Sequence, residues 1–239
     1  MARHIILLTG ASSGIGRELA LVLAQAGHTV LALARDDKKL RELAEVNALI
    51  VPVPFDLTDT GAIGELCGRL ANSHPGIDVL INNAAVQVDQ RLDAPGYEDC
   101  AVEREVALDL VAPILLAKGL LPRLAANRGM VVNVASALAL APKSTAAVYS
   151  AAKAGLANFG AALSNQVPEV AVCTVYPPVV DTPMTAGRDI PKVDAGVVAV
   201  AIAEAIESRR RHVWIGKAKA LRLVARLSPR LAGVIMRRS

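Results

Sequence analysis

Aromatic side chains are scarce in this sequence: one Trp, three Tyr and two Phe make up 3% of the chain. Proteins that bind single-stranded nucleic acid lean on stacked rings, so a nucleic-acid partner is not expected despite a formal net charge of +4. Long apolar runs are missing too. The chain is 53% hydrophobic with a mean hydropathy of +0.41, yet no uninterrupted stretch reaches the ~18 residues a spanning helix needs. The start, MARHIILLTG, has a basic residue before an apolar run. That run is short and is followed by Gly10 without a cleavage-like segment, so a buried first strand is expected rather than a signal peptide. Cysteines number three (Cys67, Cys100, Cys173), widely spaced and odd in count. They offer neither a disulfide framework nor metal-ligand spacing, which predicts reduced packing residues, no metal and a cytoplasmic protein. Acidic residues are absent from Arg209 to Ser239, where ten Lys and Arg stand, leaving residues 1–208 with 16 basic and 22 acidic groups, a net of −6.

What is present is an alternation of apolar runs with helix-period segments. The runs are Ile5–Thr9, Thr29–Ala34, Leu49–Asp56 (interrupted by prolines), Asp78–Ala85, Met130–Ser136, Val170–Pro177 and His212–Gly216. Continuous apolarity predicts strands covered on both faces. The expected fold is therefore α/β, a Rossmann-type doubly wound parallel sheet of seven strands with helices on both sides. No repeat or linker interrupts it, so residues 1–239 read as a single domain ending in a basic segment over 208–239.

The first strand–helix turn reads TGASSGIG, Thr9–Gly16. Glycines there let the backbone approach a pyrophosphate, and the free N–H groups of the following helix favour anionic oxygens. The spacing Gly10, Gly14, Gly16 differs from G-x-G-x-x-G, and a tight turn by itself also needs glycine. Beyond the second strand, where an acid would hold the ribose hydroxyls of NAD, stand Ala34 and Arg35. Arginine can grip a 2′-phosphate and Ser13 can add a hydroxyl, which favours NADP(H); a solvated Arg35 paired with Asp36 or Asp37 is the alternative.

In VYSAAKAG, Val148–Gly155, Tyr149 and Lys153 lie four residues apart and so share a helix face. A phenol ordinarily titrates near ~10. A neighbouring ammonium stabilises phenolate and draws that value toward the working range of a general acid or base.

With these motifs in order, the sequence resembles the short-chain dehydrogenase/reductase family over nearly its whole length. The resemblance implies a cofactor loop at Gly10, Ser12, Ser13, Gly14, Ile15 and Gly16, with Arg35 beside it. FDLTD, Phe55–Asp59, resembles the adenine-side motif, implying Asp56 and Leu57 near the ring. NNAA, Asn82–Ala85, resembles the family's NNAG strand end, implying cofactor contacts at Asn83, Ala84 and Ala85. YPPVVDTPM, Tyr176–Met184, resembles the segment that closes over the nicotinamide, with Pro177, Val180 and Thr182 as contacts. Ser136, thirteen residues before Tyr149, is implied as the substrate anchor. Tyr149 is implied as general acid/base, with Lys153 as its tuner and ribose ligand.

Two positions depart from the family pattern. The family's catalytic asparagine on the central helix corresponds here to Asp109, either a modified relay position or an acid exposed on the helix. Pro178 stands where many relatives have glycine, stiffening that loop and removing a donor. The resemblance implies an NADP(H)-dependent oxidoreductase that interconverts a carbonyl and an alcohol. A catalytically impaired NADP-binding regulator or scaffold is the rival reading. The substrate-side segments Val86–Asp89, Ala137–Lys143 and Met184–Pro191 are mostly small or apolar, which suggests a hydrophobic ketone or aldehyde in an open pocket. The helices around Ala107–Leu121 and Tyr149–Gln166 would pair across a two-fold axis in a homodimer or homotetramer. In the basic segment Lys219, Arg222 and Arg226 share one helix face, and Ala220, Leu221, Val224 and Leu227 another. That pattern fits a solvated basic face, a peripheral membrane contact or an acidic partner such as an acyl carrier.

Overall fold

A computed structural model of the chain describes residues 3–237. Met1 and Ala2, where the signal-peptide reading begins, and Arg238 and Ser239, which close the basic segment, lie outside them. Seven parallel strands form one sheet in the order β3-β2-β1-β4-β5-β6-β7. The strands are β1 Ile5–Thr9, β2 Thr29–Ala34, β3 Ile50–Pro54, β4 Ile77–Asn82, β5 Met130–Val134, β6 Ala171–Tyr176 and β7 His212–Trp214. Helices α1 Gly14–Gln25, α2 Asp37–Val46, α3 Ile63–Ser73, α4 Asp99–Val106, α5 Ala112–Ala126, α6 Ala147–Gln166, α7 Ala195–Glu207, α8 Ala218–Leu227 and α9 Pro229–Arg237 complete the chain.

The strands read as unbroken apolar runs because alternate residues feed two separate cores. Ile6 and Leu8 join Leu19 and Leu23 of α1, Leu40 of α2 and Ile202 of α7 on one face. Leu7 joins Leu66 of α3, Leu116 and Leu120 of α5 and Leu163 of α6 on the other. Period-two side chains with both faces covered leave no polar alternation to see. Pro52 and Pro54 are tolerated because β3 is an edge strand, where a missing N–H breaks no ladder.

Strand order reverses between β1 and β4, and the chain leaves the sheet at Asn82, before the end of the apolar run. Thr9 holds this point shut: its hydroxyl donates to the Ile81 carbonyl at 3.2 Å and accepts from the amides of Asn83 and Ala84, each at 2.9 Å. The Asn83 side chain donates to the Thr9 carbonyl at 2.9 Å. A ligand crevice is expected outside the carboxyl ends of strands at such a switch point.

Cysteine burial departs in one case from the sequence expectation. Cys67 and Cys173 are buried, and burial pushes their thiols up to about 11 and about 12. Cys100 is exposed at the start of α4 and packs no core. Among the described residues no helix is long and apolar enough to cross a membrane, and no cluster of metal-ligating side chains occurs.

Candidate active site

A cavity of about 780 Å³ opens at the switch point, within the range of small-molecule and cofactor sites. Its floor is the glycine loop. Gly10 adopts φ +68, and a Cβ there would lie 2.8 Å from the Ala84 backbone. Gly16 plays a different part: a Cβ on it would fall 2.1 Å from the Gly10 carbonyl oxygen, so its role is the close approach of α1 to the loop, and it does not line the cavity. The other predicted loop residues, Gly10, Ser12, Ser13, Gly14 and Ile15, do line it. Ser13 occupies the N-cap position of α1 without a side-chain capping bond, and the first turn carries no acid. Unsatisfied N–H groups and a free hydroxyl therefore face a cavity suited to an anion.

Arg35 stands at the end of β2 and lines the cavity, its guanidinium 3.8 Å from the Asp56 carboxylate. The alternative partners are engaged elsewhere: Asp36 caps α2 at the Lys39 amide, and Asp37 pairs with Arg41. Ser12, Ser13, Arg35, Asp36 and Lys39 together line a smaller polar recess. Lys39 was missed from sequence, although its place on the first turn of α2, just past Arg35, was a readable signal. Asp56, Leu57, Asn83, Ala84, Ala85, Pro177, Val180 and Thr182 all reach the cavity wall.

Ser136, Tyr149 and Lys153 converge on the same wall. Ser136 ends the β5 run and accepts from the Leu138 amide at 3.1 Å. Tyr149 and Lys153 project from the first turns of α6, with the ammonium 5.5 Å from the phenol ring centroid. Lys153 is 1% exposed and donates to the Val134 carbonyl at 3.1 Å. Asp109 is not exposed on its helix and does not line the cavity. It is fully buried behind Lys153, its carboxylate 3.3 Å from the ammonium and accepting from the Val86 amide, also at 3.3 Å. A π-helical turn over Ala107–Val111, inserted between α4 and α5, presents it there. Such widened turns recur at functional sites.

This pairing changes the electrostatics expected from Tyr149 and Lys153 alone. Burial pushes the Asp109 carboxyl up to about 6, against the pull of the Lys153 charge. The Tyr149 phenol is also pushed up, not down: burial acts first and the Asp109 charge second, while hydrogen bonding with Ser136 and the Arg188 charge act the other way. The ammonium is met by a carboxylate of its own, so the phenol stays protonated at neutral pH. A second buried acid, Glu105, contributes to both shifts. It accepts from the Val88 amide at 2.7 Å and from the Tyr97 hydroxyl at 2.8 Å. Sequence reasoning missed it, although Glu105 and Asp109 are four residues apart on one helical segment.

Three loops close the substrate side. Asp89, after β4, is 3.0 Å from Lys143 and accepts a short hydrogen bond from Thr145, both between β5 and α6; Arg188, between β6 and α7, approaches it at 3.5 Å. The fourth side is the basic segment, which narrows the pocket expected to be open. Ala218, Leu221 and Val224 of α8 and Met236 of α9 line the cavity. Trp214 fixes α8 by stacking on Tyr176 at 3.8 Å between ring centroids and lying beneath the Arg222 guanidinium at 4.8 Å. The predicted apolar face of α8 is therefore split: Leu221 and Val224 face the cavity, while Leu227 is 78% exposed.

A family model described as short chain dehydrogenase matches residues 4–191. A fatty acyl-CoA reductase of Mycobacterium tuberculosis is 34% identical over 235 residues, 95% of this chain and 76% of that protein. The crystal structure of a short chain dehydrogenase from Burkholderia cenocepacia in complex with NADP superposes with a TM-score of 0.87 at 25% identity, covering 98% of this chain and 97% of that one. A short-chain dehydrogenase from Sphingobium yanoikuyae in complex with NADPH aligns with a TM-score of 0.80 at 26% identity, over 95% of this chain and 94% of that one.

Proposed function

The chain belongs to the short-chain dehydrogenase family, and on that premise we propose that it is an NADP(H)-dependent oxidoreductase that reduces a hydrophobic ketone or aldehyde to an alcohol. What supports the reading is the convergence of Ser136, Tyr149 and Lys153 on the wall that also carries the glycine loop. The residues fit the cofactor: an uncapped helix N-terminus for the pyrophosphate, Ser13, Arg35 and Lys39 for a 2′-phosphate, and Thr182, on the segment after β6, for the nicotinamide carboxamide. Bound there, NADPH supplies the hydride that reaches the carbonyl carbon.

The protein's own groups do the rest. The Ser136 hydroxyl donates to the carbonyl oxygen and orients it. Tyr149, protonated at neutral pH, gives its proton to the oxygen as negative charge develops there. Lys153 stabilises the phenolate left behind, and Asp109 balances the buried ammonium. A phenol held high suits reduction better than oxidation. Turnover of NADPH against a broad panel of apolar carbonyls tests the assignment; failure to reduce any of them would favour a cofactor-binding scaffold.

Cofactor choice has its own test. Arg35→Ala should raise the KM for NADPH about 10- to 100-fold, the worth of a charge-assisted hydrogen bond to phosphate, and leave NADH kinetics nearly unchanged. Equal effects on both cofactors would remove Arg35 from 2′-phosphate recognition.

The protein is further proposed to be cytoplasmic, to form homodimers or homotetramers through α5 and α6, and to touch membranes peripherally. The last point rests on Leu223, Leu227, Leu231 and Val234, which are 61%, 78%, 52% and 41% exposed and lie among Lys219, Arg226 and Arg230. Each cation near an anionic surface adds about 1 kcal/mol. Co-sedimentation with phosphatidylglycerol vesicles should exceed that with phosphatidylcholine and fall several-fold in Leu227→Asp/Leu231→Asp. Equal sedimentation in all arms removes the membrane contact.

A further inference from the structure

The substrate end of the cavity is not uniformly apolar. Lys143, Arg188 and Gln87 line it, whereas Asp89, which binds the first two, does not. The Asp89 carboxylate is 24% exposed, about as much as Lys143 and Arg188, but it does not border the cavity, which meets the donors. Arg188 donates to Gln87 Oε1 at 3.1 Å, which fixes the amide orientation and directs Nε2 away from the guanidinium. That Nε2 is buried without a hydrogen-bond partner among the described residues. A buried amide donor left unpaired costs about 1–3 kcal/mol, and because this atom is closed off from solvent an acceptor in the cavity meets it only when the Gln87 side chain turns toward the cavity.

The location separates this group from the cofactor. The glycine loop, Arg35 and Lys39 belong to the β1 and β2 ends. Gln87, Lys143 and Arg188 belong to the loops after β4, β5 and β6, on the Tyr149 side, and the Arg188 charge is felt at the phenol. Charge defines the ligand. Burial works against ionisation of Asp89, but hydrogen bonds from Thr145 and Lys143 hold its carboxyl below the usual range. Two cations less one carboxylate leave this cluster one net positive charge, and Lys217, just before α8, and Arg104, on α4, line the cavity as well. Leu138, Met184, Ile190 and Leu221 supply apolar wall around the cluster.

We propose that Arg188, Lys143 and Gln87 form a subsite for a carboxylate carried by the substrate, so that the preferred substrate is an oxo acid with an apolar spacer between its carbonyl and its carboxylate. This rests on the carbonyl-reducing reading for its kinetic consequences but not for binding. A monoanion matches the single unbalanced charge, and a guanidinium with an ammonium beside it offers several donors to the two carboxylate oxygens.

The test uses the full chain with NADP⁺ bound, and calorimetric titration with hexanoate, hexanamide and hexylphosphonate. Hexanoate should bind at least about 10-fold more tightly than hexanamide, as a charge-assisted hydrogen bond requires, with the advantage shrinking as salt rises. Arg188→Gln should abolish the advantage, and Arg188→Lys should keep most of it. In turnover, the ratio of kcat/KM for a medium-chain oxo acid to that for its methyl ester should fall about 10-fold in Arg188→Gln. Equal binding of hexanoate and hexanamide to the wild type, or an advantage that survives Arg188→Gln, overturns the subsite. Tighter binding of hexylphosphonate than of hexanoate, measured above about pH 8 where the phosphonate is dianionic, overturns its assignment to a carboxylate. Selective hexanoate binding without turnover of any carbonyl would instead leave the subsite standing and remove the reductase reading.

Discussion

Tyr149→Phe is expected to lower kcat for NADPH-dependent carbonyl reduction by about 10²- to 10⁴-fold, the range that follows loss of a positioned general acid. The substitution is unusually clean here. The ring is buried against α6 surroundings, 8% exposed, and phenylalanine keeps its volume. What disappears is the proton and the oxygen that shares a hydrogen bond with Ser136. Folding and nucleotide binding should persist, so the quenching of protein fluorescence by NADPH, reporting through Trp214, should give a Kd within a few-fold of wild type. Retention of more than about a tenth of the wild-type kcat would mean that another group delivers the proton. The reading of α6 as acid–base apparatus would then fail.

Asp109→Asn should reshape the pH dependence rather than abolish the rate. Asp109 is raised above the ordinary carboxylate value, so it is protonated below about pH 6 and ionised above it. Once ionised it opposes Lys153 and holds the phenol up. Asparagine removes that charge and leaves the ammonium unopposed beside Tyr149. The pH at which the phenol ceases to act as an acid in reduction should fall by about one unit or more, the usual effect of an opposite charge within a few ångströms. Alcohol oxidation, which needs phenolate, should gain rate at pH 8. The same shift has a stability sign. A group whose folded-state value is raised contributes stability fully below its unfolded value near 3.8, and that contribution is lost as pH rises through about 6. The difference in Tm between wild type and Asp109→Asn should therefore change across pH 4–7. A pH–rate profile superimposable on wild type would show that Asp109 does not act through Lys153 on the phenol.

The strands and the glycine loop were legible because each is dictated locally. Burial on two faces forces continuous apolar runs, and the approach of α1 to the loop forces glycine at Gly16. Tyr149 and Lys153 were legible because a spacing of four on one helix fixes their relation without any knowledge of the fold. What escaped depends on elements distant in sequence. The pairing of Asp109 with Lys153 requires the π turn to face α6, and nothing in ALDLV announces a widened turn. The rise of the Tyr149 phenol follows from that pairing and from burial, neither of which a spacing encodes. The split face of α8 was misread because its apolar residues serve two environments, the cavity at Leu221 and Val224 and solvent at Leu227. Lys39 and Glu105 carried helical-spacing signals that went unused.

The knot around Asp89 has a consequence for engineering. One carboxylate joins three segments that come from three different crossings of the sheet, through Lys143, Thr145 and Arg188. Transplanting any one of those segments from a related enzyme would strand a partner in the other two, leaving the half-buried Asp89 with part of its partners or the cations with no carboxylate to hold them. New specificities should therefore be accessible by exchanging all three segments together, or by changes that retain the knot, and not by grafts made one at a time.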